Sequence, residues 1–176
     1  MAVKDSRWLV YADEDDAAIK IHGPMSPAQA EGFVAGAEWV NDSSVEHLGA
    51  YGSLKAARDS CTEDGAMQEQ YDGYEVEEMG FEAPNVGVGA GECHLLYFDG
   101  DYDLLKIRGP LSFAQAQGFG AGVDWANDSA LEFEGGFASS EAANAAAQQY
   151  IRSKGEFEIE EFAVDIASLD EPVVEI

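Results

Sequence analysis

Apolar and polar residues follow one succession of rhythms along the first half of the chain and repeat it along the second. Each copy opens with an apolar run, Trp8 to Tyr11 and His94 to Phe98, crosses an acidic stretch, and resumes at Ala18 to Ile21 and Leu104 to Ile107. Lys20 falls between Ile19 and Ile21 and so points to the opposite face, the period-two pattern of a strand, and the paired runs predict a hairpin. Ser26, Pro27 and Gln29 then supply an N-cap, a first-turn proline and a capping box, and Ser112 with Gln115 repeats the box. The predicted helices run to Asn41 and Asn127, where asparagine suits the left-handed conformation of a helix stop.

On these helices Ala30, Phe33, Ala37 and Val40 share one stripe, as do Ala116, Phe119, Val123 and Ala126, which marks the core-facing side. Gln29, Gly32, Gly36 and Trp39 form a neighbouring stripe. Glycine in a helix interior costs about 0.8–1 kcal/mol relative to alanine, so its recurrence, with Gly120 as well in the second copy, indicates close packing between helices of the chain rather than a partner groove. A strand follows, in which Leu131, Phe133 and Phe137 alternate with Glu132 and Glu134, and Val45, His47 and Tyr51 take the corresponding face. A second helix, Leu54 to about Gln68 and Ser140 to about Ile151, is capped by Ser53 and Ser139. The closing strands are Tyr74 to Met79 and Phe157 to Phe162.

Shifting the sequence by 86 places Ile19 to Ala30 on Leu105 to Ala116, with Lys, Ile, Gly, Pro, Ser, Ala and Gln retained at matching places. Gly32-Phe33, Ala35-Gly36, Trp39 and Asn41-Asp42-Ser43 fall on Gly118-Phe119, Ala121-Gly122, Trp125 and Asn127-Asp128-Ser129. The chain therefore reads as a tandem duplication of a ββαβαβ module in the α+β class, each copy a four-stranded antiparallel or mixed sheet with two helices on one face. Residues 1–82 form the first repeat, the Gly-rich stretch 83–91 a linker, and residues 92–176 the second repeat.

Charge changes the picture. The sequence holds 35 acidic and 9 basic residues, a formal net charge of -26, and 46% hydrophobic residues, enough for a core. Cutting after Val86 leaves 18 acidic and 5 basic residues before it and 17 and 4 after it, so the acidity belongs to the module and not to a tail. Such a field repels nucleic acid and anionic membrane and attracts basic protein surfaces. Cys61 and Cys93 occupy unmatched places in the two copies, which predicts reduced thiols. The run Trp8 to Tyr11 is too short for a signal-peptide core or a membrane span, and a cytoplasmic setting is expected.

Candidate chemistry is sparse. Asp99, Asp101 and Asp103 have the alternate spacing of a calcium loop, but Leu104 stands where the loop glycine belongs, Pro110 where the bidentate glutamate belongs, and the first copy has Ala17 for the third aspartate. A solvated acidic turn is the better reading. His22, His47 and His94 align with Arg108, Phe133 and Trp8, so no histidine is shared, and only His47 reads as buried. Gly87, Gly89 and Gly91 lack the lysine and helix start of a phosphate loop. No catalytic residue, cofactor or metal ligand is assigned, and a non-enzymatic binding protein is expected.

The expected function is mimicry of DNA: ordered carboxylates occupying the basic surface of a nucleic-acid-binding protein and inhibiting it. Duplex DNA carries one charge per about 1.7 Å of axis, so 26 charges correspond to roughly 44 Å. The carboxylates assigned to the partner are Asp13, Asp15, Asp16, Glu75, Glu77, Asp99, Asp101, Asp103, Glu158 and Glu160, from the hairpin turns and closing strands of both copies. The alternatives are a generic acidic interaction or structural module, and adaptation to high salt. Composition opposes the last, since 5 Lys and 4 Arg show no replacement of lysine by arginine and Thr62 is the only threonine.

Overall fold

The computed structural model describes residues 6–40, 44–63, 73–87, 91–126, 131–164 and 166. In order, these form β1 (Arg7–Asp13), β2 (Ala18–Met25), α1 (Pro27–Val40), β3 (Val45–Tyr51), α2 (Leu54–Glu63) and β4 (Glu75–Met79). The second half follows with β5 (Cys93–Asp99), β6 (Leu104–Leu111), α3 (Phe113–Ala126), β7 (Leu131–Phe137), α4 (Ser140–Lys154) and β8 (Glu158–Phe162). The protein is thus α+β, with two four-stranded sheets in the orders β3-β1-β2-β4 and β7-β5-β6-β8. Both sheets are mixed: the first three strands are antiparallel and the last runs parallel to its neighbour.

Local chemistry sets the helix starts. Ser26 N–H donates to Gln29 Oε1 (2.8 Å) while Gln29 N–H donates to Ser26 Oγ (3.1 Å), and Ser112 and Gln115 repeat the exchange at 2.9 and 3.1 Å. These are the reciprocal bonds of a capping box, which satisfy amides left over at a helix N-terminus. Ser53 and Ser139 cap α2 and α4 through the amides of Ala56 and Ala142. The expected helix stops at Asn41 and Asn127, the end of α2 near Gln68 and part of the 83–91 linker lie outside the described residues.

Two sequence-based expectations are corrected. The helices of each half do not share one face of their sheet. Leu9 and Tyr11 pack with Ala30, Phe33 and Ala37 of α1, whereas Val10, Ala12, Ile19 and Ile21 pack with Ala57 and Cys61 of α2. Leu95 and Tyr97 meet α3 while Leu96, Leu105 and Ile107 meet α4. Central strands apolar at every position need cover on both faces, and continuous runs such as Leu9 to Ala12 carry that signal. The second correction concerns β3 and β7, where a register shift lets Val10 face Gly49 while Tyr11 faces His47, and Leu96 face Gly135 while Tyr97 faces Phe133. The extra residue reverses the alternation. Tyr51 and Phe137 therefore turn to α2 and α4, away from the face that holds Val45 and Leu131.

The central layer is made by α1 and α3 in direct backbone contact. A Cβ placed on Gly32 would stand 1.9 Å from Gln115 O, and one on Gly118 would stand 1.8 Å from Gln29 O. Gly36 and Gly122 stand in the same relation to Phe119 O (2.3 Å) and Phe33 O (2.2 Å). This reciprocity is that of an approximate twofold axis between the helices. Gln29 Nε2 also donates across the seam to Gln117 Oε1 at 3.0 Å. The close approach carries each helix into the other half's core: Trp39 stacks on Phe119 at 5.7 Å, and Trp125 stacks on Phe33 at 5.8 Å. From outside to outside the layers are α2, the first sheet, α1 with α3, the second sheet, and α4.

Candidate functional site

The ten expected partner-binding carboxylates separate into two groups. Asp13 accepts from the amides of Asp15 (3.1 Å) and Asp16 (3.3 Å), shaping the β1–β2 turn, and its other oxygen meets Lys20 Nζ at 3.1 Å. Asp16 also holds Lys20, at 2.6 Å. Burial pulls the Lys20 ammonium down, but hydrogen bonds and charge from Asp16 and Asp13 outweigh that and leave its pKa raised. Asp99 is buried, accepts from the Asp101 amide (3.0 Å) and pairs with Lys106 Nζ at 2.9 Å. Asp13, Asp16 and Asp99 thus bind the protein's own lysines. Asp15, Asp101, Asp103, Glu75, Glu77 and Glu158 are exposed and Glu160 is half-buried.

Within each half the parallel pairing brings turn and closing strand together. Glu75 stands beside Ala18 and Glu77 beside Lys20, with Glu75 N–H donating to Ala17 O at 3.3 Å. Glu158 stands beside Leu104 and Glu160 beside Lys106. Each sheet therefore carries one acidic corner where its hairpin turn meets its last strand. The other face of those strands has carboxylates that strand alternation alone does not single out. Arg58 on α2 binds Glu78, which holds the Glu78 carboxyl below its ordinary value. Hydrogen bonds from Ser140 and Asn144 on α4 do the same for Glu161.

The histidines depart from expectation. His22 and His94 are buried, and His47 is half-buried. His94 Nε2 bonds Glu92 at 2.7 Å. His22 lies among Phe33, Tyr11 and Trp125, its ring 4.2 Å from the Trp125 centroid. Burial, then the charge of Lys20, pushes its pKa down to about 3. Arg108 holds the equivalent place in the second half, its guanidinium carbon 4.5 Å from the Trp39 ring centroid and 5.1 Å from that of Phe162. Trp39 and Trp125 belong to the opposite halves, which is why spacing within one repeat could not reveal these contacts.

Beside His22 a cavity of about 710 Å³ opens between the halves, lined by Phe33, Trp125 and Tyr97 within and by Phe133, Asp124 and Glu82 toward solvent. The Tyr97 phenol is pushed up by burial and then by the Asp124 charge. Cys61 and Cys93 are free and buried in different clusters, both thiols pushed up by burial. Among the described residues no group of three or more His, Cys, Asp or Glu is placed to hold a metal ion, and no helix is long and apolar enough to cross a membrane. Comparison with models of known families, with curated proteins and with solved structures finds no match.

Proposed function

We propose that this chain is a non-enzymatic acidic binding protein that mimics DNA and inhibits a basic, nucleic-acid-binding partner in the cytoplasm. In this reading it is a duplicated ββαβαβ module, residues 1–82 and 92–176 joined by 83–91, and duplication lengthens the acidic surface. The observation that supports it most is the disposal of the cations. Lys20 and Lys106 are tied to turn aspartates, Arg58 to Glu78, and Arg108 lies against aromatic rings between the halves. These pairs cancel carboxylates locally and leave the uncompensated ones outside, and a surface with a net charge of -26 releases counterions on binding a basic groove.

A generic acidic interaction module is the second reading, and exposed aromatic side chains, notably Tyr102 at 72% exposure, favour it. Capture of partners from lysate at low and moderate salt, followed by competition with duplex DNA, separates the two. Mimicry requires that the captured proteins bind nucleic acid, that duplex DNA displaces them, and that affinity falls steeply with salt. Partners that DNA does not displace would leave the generic module. A protein that unfolds below molar salt and refolds above it would owe its charge to its environment.

A further inference from the structure

Positions 22 and 108 are equivalent in the repeat and occupy the same place on β2 and β6, facing the tryptophan of the opposite half. In the second half the place is filled by a guanidinium. Arg108 lies over Trp39 at 4.5 Å, Phe162 at 5.1 Å and Phe119 at 6.0 Å. In the first half the corresponding aromatic walls are Trp125 and Phe33, with Met79 where Phe162 stands, since His22 faces Met79 across the strands as Arg108 faces Phe162. The shorter imidazole of His22 covers Trp125 and adjoins the 710 Å³ cavity.

Two residues lining that cavity each carry a fully buried polar atom without a hydrogen-bond partner. His22, 4% exposed, has no hydrogen-bond partner at Nε2, and Tyr97, 2% exposed, has none at its hydroxyl. Both atoms lie beneath the cavity surface, so a ligand is held by the aromatic walls and by the carboxylates at the mouth. His22 is held neutral by its burial and by Lys20, so it supplies no cation of its own. The exposed carboxylates of Asp124 and Glu82 line the mouth and exclude anions.

We infer that this cavity binds the guanidinium of an arginine side chain presented by the basic partner, taking the role that Arg108 plays internally in the other half; the inference rests on the reading of the chain as a binder of basic proteins. A guanidinium is flat, so it stacks on Trp125 or Phe133 while its in-plane N–H groups reach the exposed Asp124 carboxylate. An ammonium of the same charge is more strongly hydrated and fits an aromatic site less well.

The test uses the full chain and two capped tripeptides, Gly-Arg-Gly and Gly-Lys-Gly, at moderate salt, which screens general attraction to the acidic surface. Binding is followed by the indole N–H resonances, among which Trp125 should move most. The arginine peptide should bind saturably and roughly tenfold more tightly than the lysine peptide, a ratio in the range of one desolvated cation–aromatic contact. Asp124→Asn alters an exposed side chain and should weaken it several-fold with the melting temperature kept, and Phe133→Ala should weaken it several-fold while also losing the packing of Phe133 on Tyr97. His22→Arg should abolish it by placing a tethered guanidinium in the cavity. Equal binding of the two peptides, or unchanged affinity in Asp124→Asn and Phe133→Ala, would overturn the site. A partner that DNA displaces without arginine-peptide binding removes this site alone, whereas arginine binding with no DNA-competed partner removes mimicry alone.

Discussion

The two halves share strand order, capping boxes and a glycine crossing, and they differ where each meets the other. His22 faces Arg108 in the alignment, His47 faces Phe133, Met79 faces Phe162, and Ala50 faces Gly136. The last pair explains why the stretch after β4 docks on the second sheet. Val86 is buried there, and a Cβ on Gly136 would stand 1.8 Å from its carbonyl oxygen, so the methyl that Ala50 carries would block the same approach. Backbone architecture is thus common to both copies, while their differences gather at the seam, where one site holds a half-buried guanidinium and the other a buried, neutral imidazole. A repeated frame constrains what satisfies its own hydrogen bonds; it leaves the residues facing the opposite copy to diverge.

The largest expected effect tests the common frame. Gly32→Ala and Gly118→Ala would each drive a Cβ into a carbonyl of the opposite helix, at 1.9 and 1.8 Å. Backbone cannot rotate away as a side chain can, so each should lose about 3 kcal/mol or more, the upper range for overpacking, despite the better helix propensity of alanine. Chemical denaturation measures this. Similar losses from the two variants would support the twofold crossing, and a neutral result in either would break it.

Next comes the difference at the seam. His22 has a folded pKa of about 3 against an ordinary 6.5, so the unfolded chain binds more protons between those values. Stability from neutral His22 is therefore complete above about pH 6.5 and is lost as pH falls toward 3. Relief of carboxylate repulsion on acidification acts in the opposite direction in wild type and variants alike. The informative quantity is the difference between His22→Phe and wild type, which should grow in favour of the variant from pH 7 to pH 4. A constant difference in melting temperature across that range would show that His22 is not held neutral.

The smallest effect has the opposite sign. Gly120 lies on α3 but faces only Pro84 Cγ at 3.4 Å and Val86 Cγ1 at 3.8 Å, and the first copy carries Val34 at the same place. Gly120→Ala should raise stability by about 0.5–1 kcal/mol through helix propensity. A loss comparable to that of Gly118→Ala would mean that the whole helix face, and not only the crossing, excludes side chains.

Much of the fold was legible because its signals are local. Ser26 with Gln29 and Ser112 with Gln115 mark the helix starts, and the apolar runs flanking Asp13 to Asp16 and Asp99 to Asp103 mark the hairpins. The helix glycines pointed to a close contact, and that contact lies within the chain. The acidic site was legible in part. Alternation placed Glu75, Glu77 and Glu158 outside, but it could not show that Lys20 and Lys106 bind Asp13, Asp16 and Asp99, since a side chain's partner depends on neighbouring strands.

By itself the sequence determined the two copies, the types and starts of their elements, and a charge of -26, because caps, periodicity and composition act over a few residues or over none. Tertiary structure decided that the helices of each half flank their sheet, that a bulge turns Tyr51 and Phe137 outward, and that Trp39 and Trp125 cross into the opposite cores. Those outcomes follow from packing two sheets around one helix pair, where backbone contact at Gly32, Gly36, Gly118 and Gly122 fixes which side chains meet, a relation between residues far apart in the chain that local pattern does not encode.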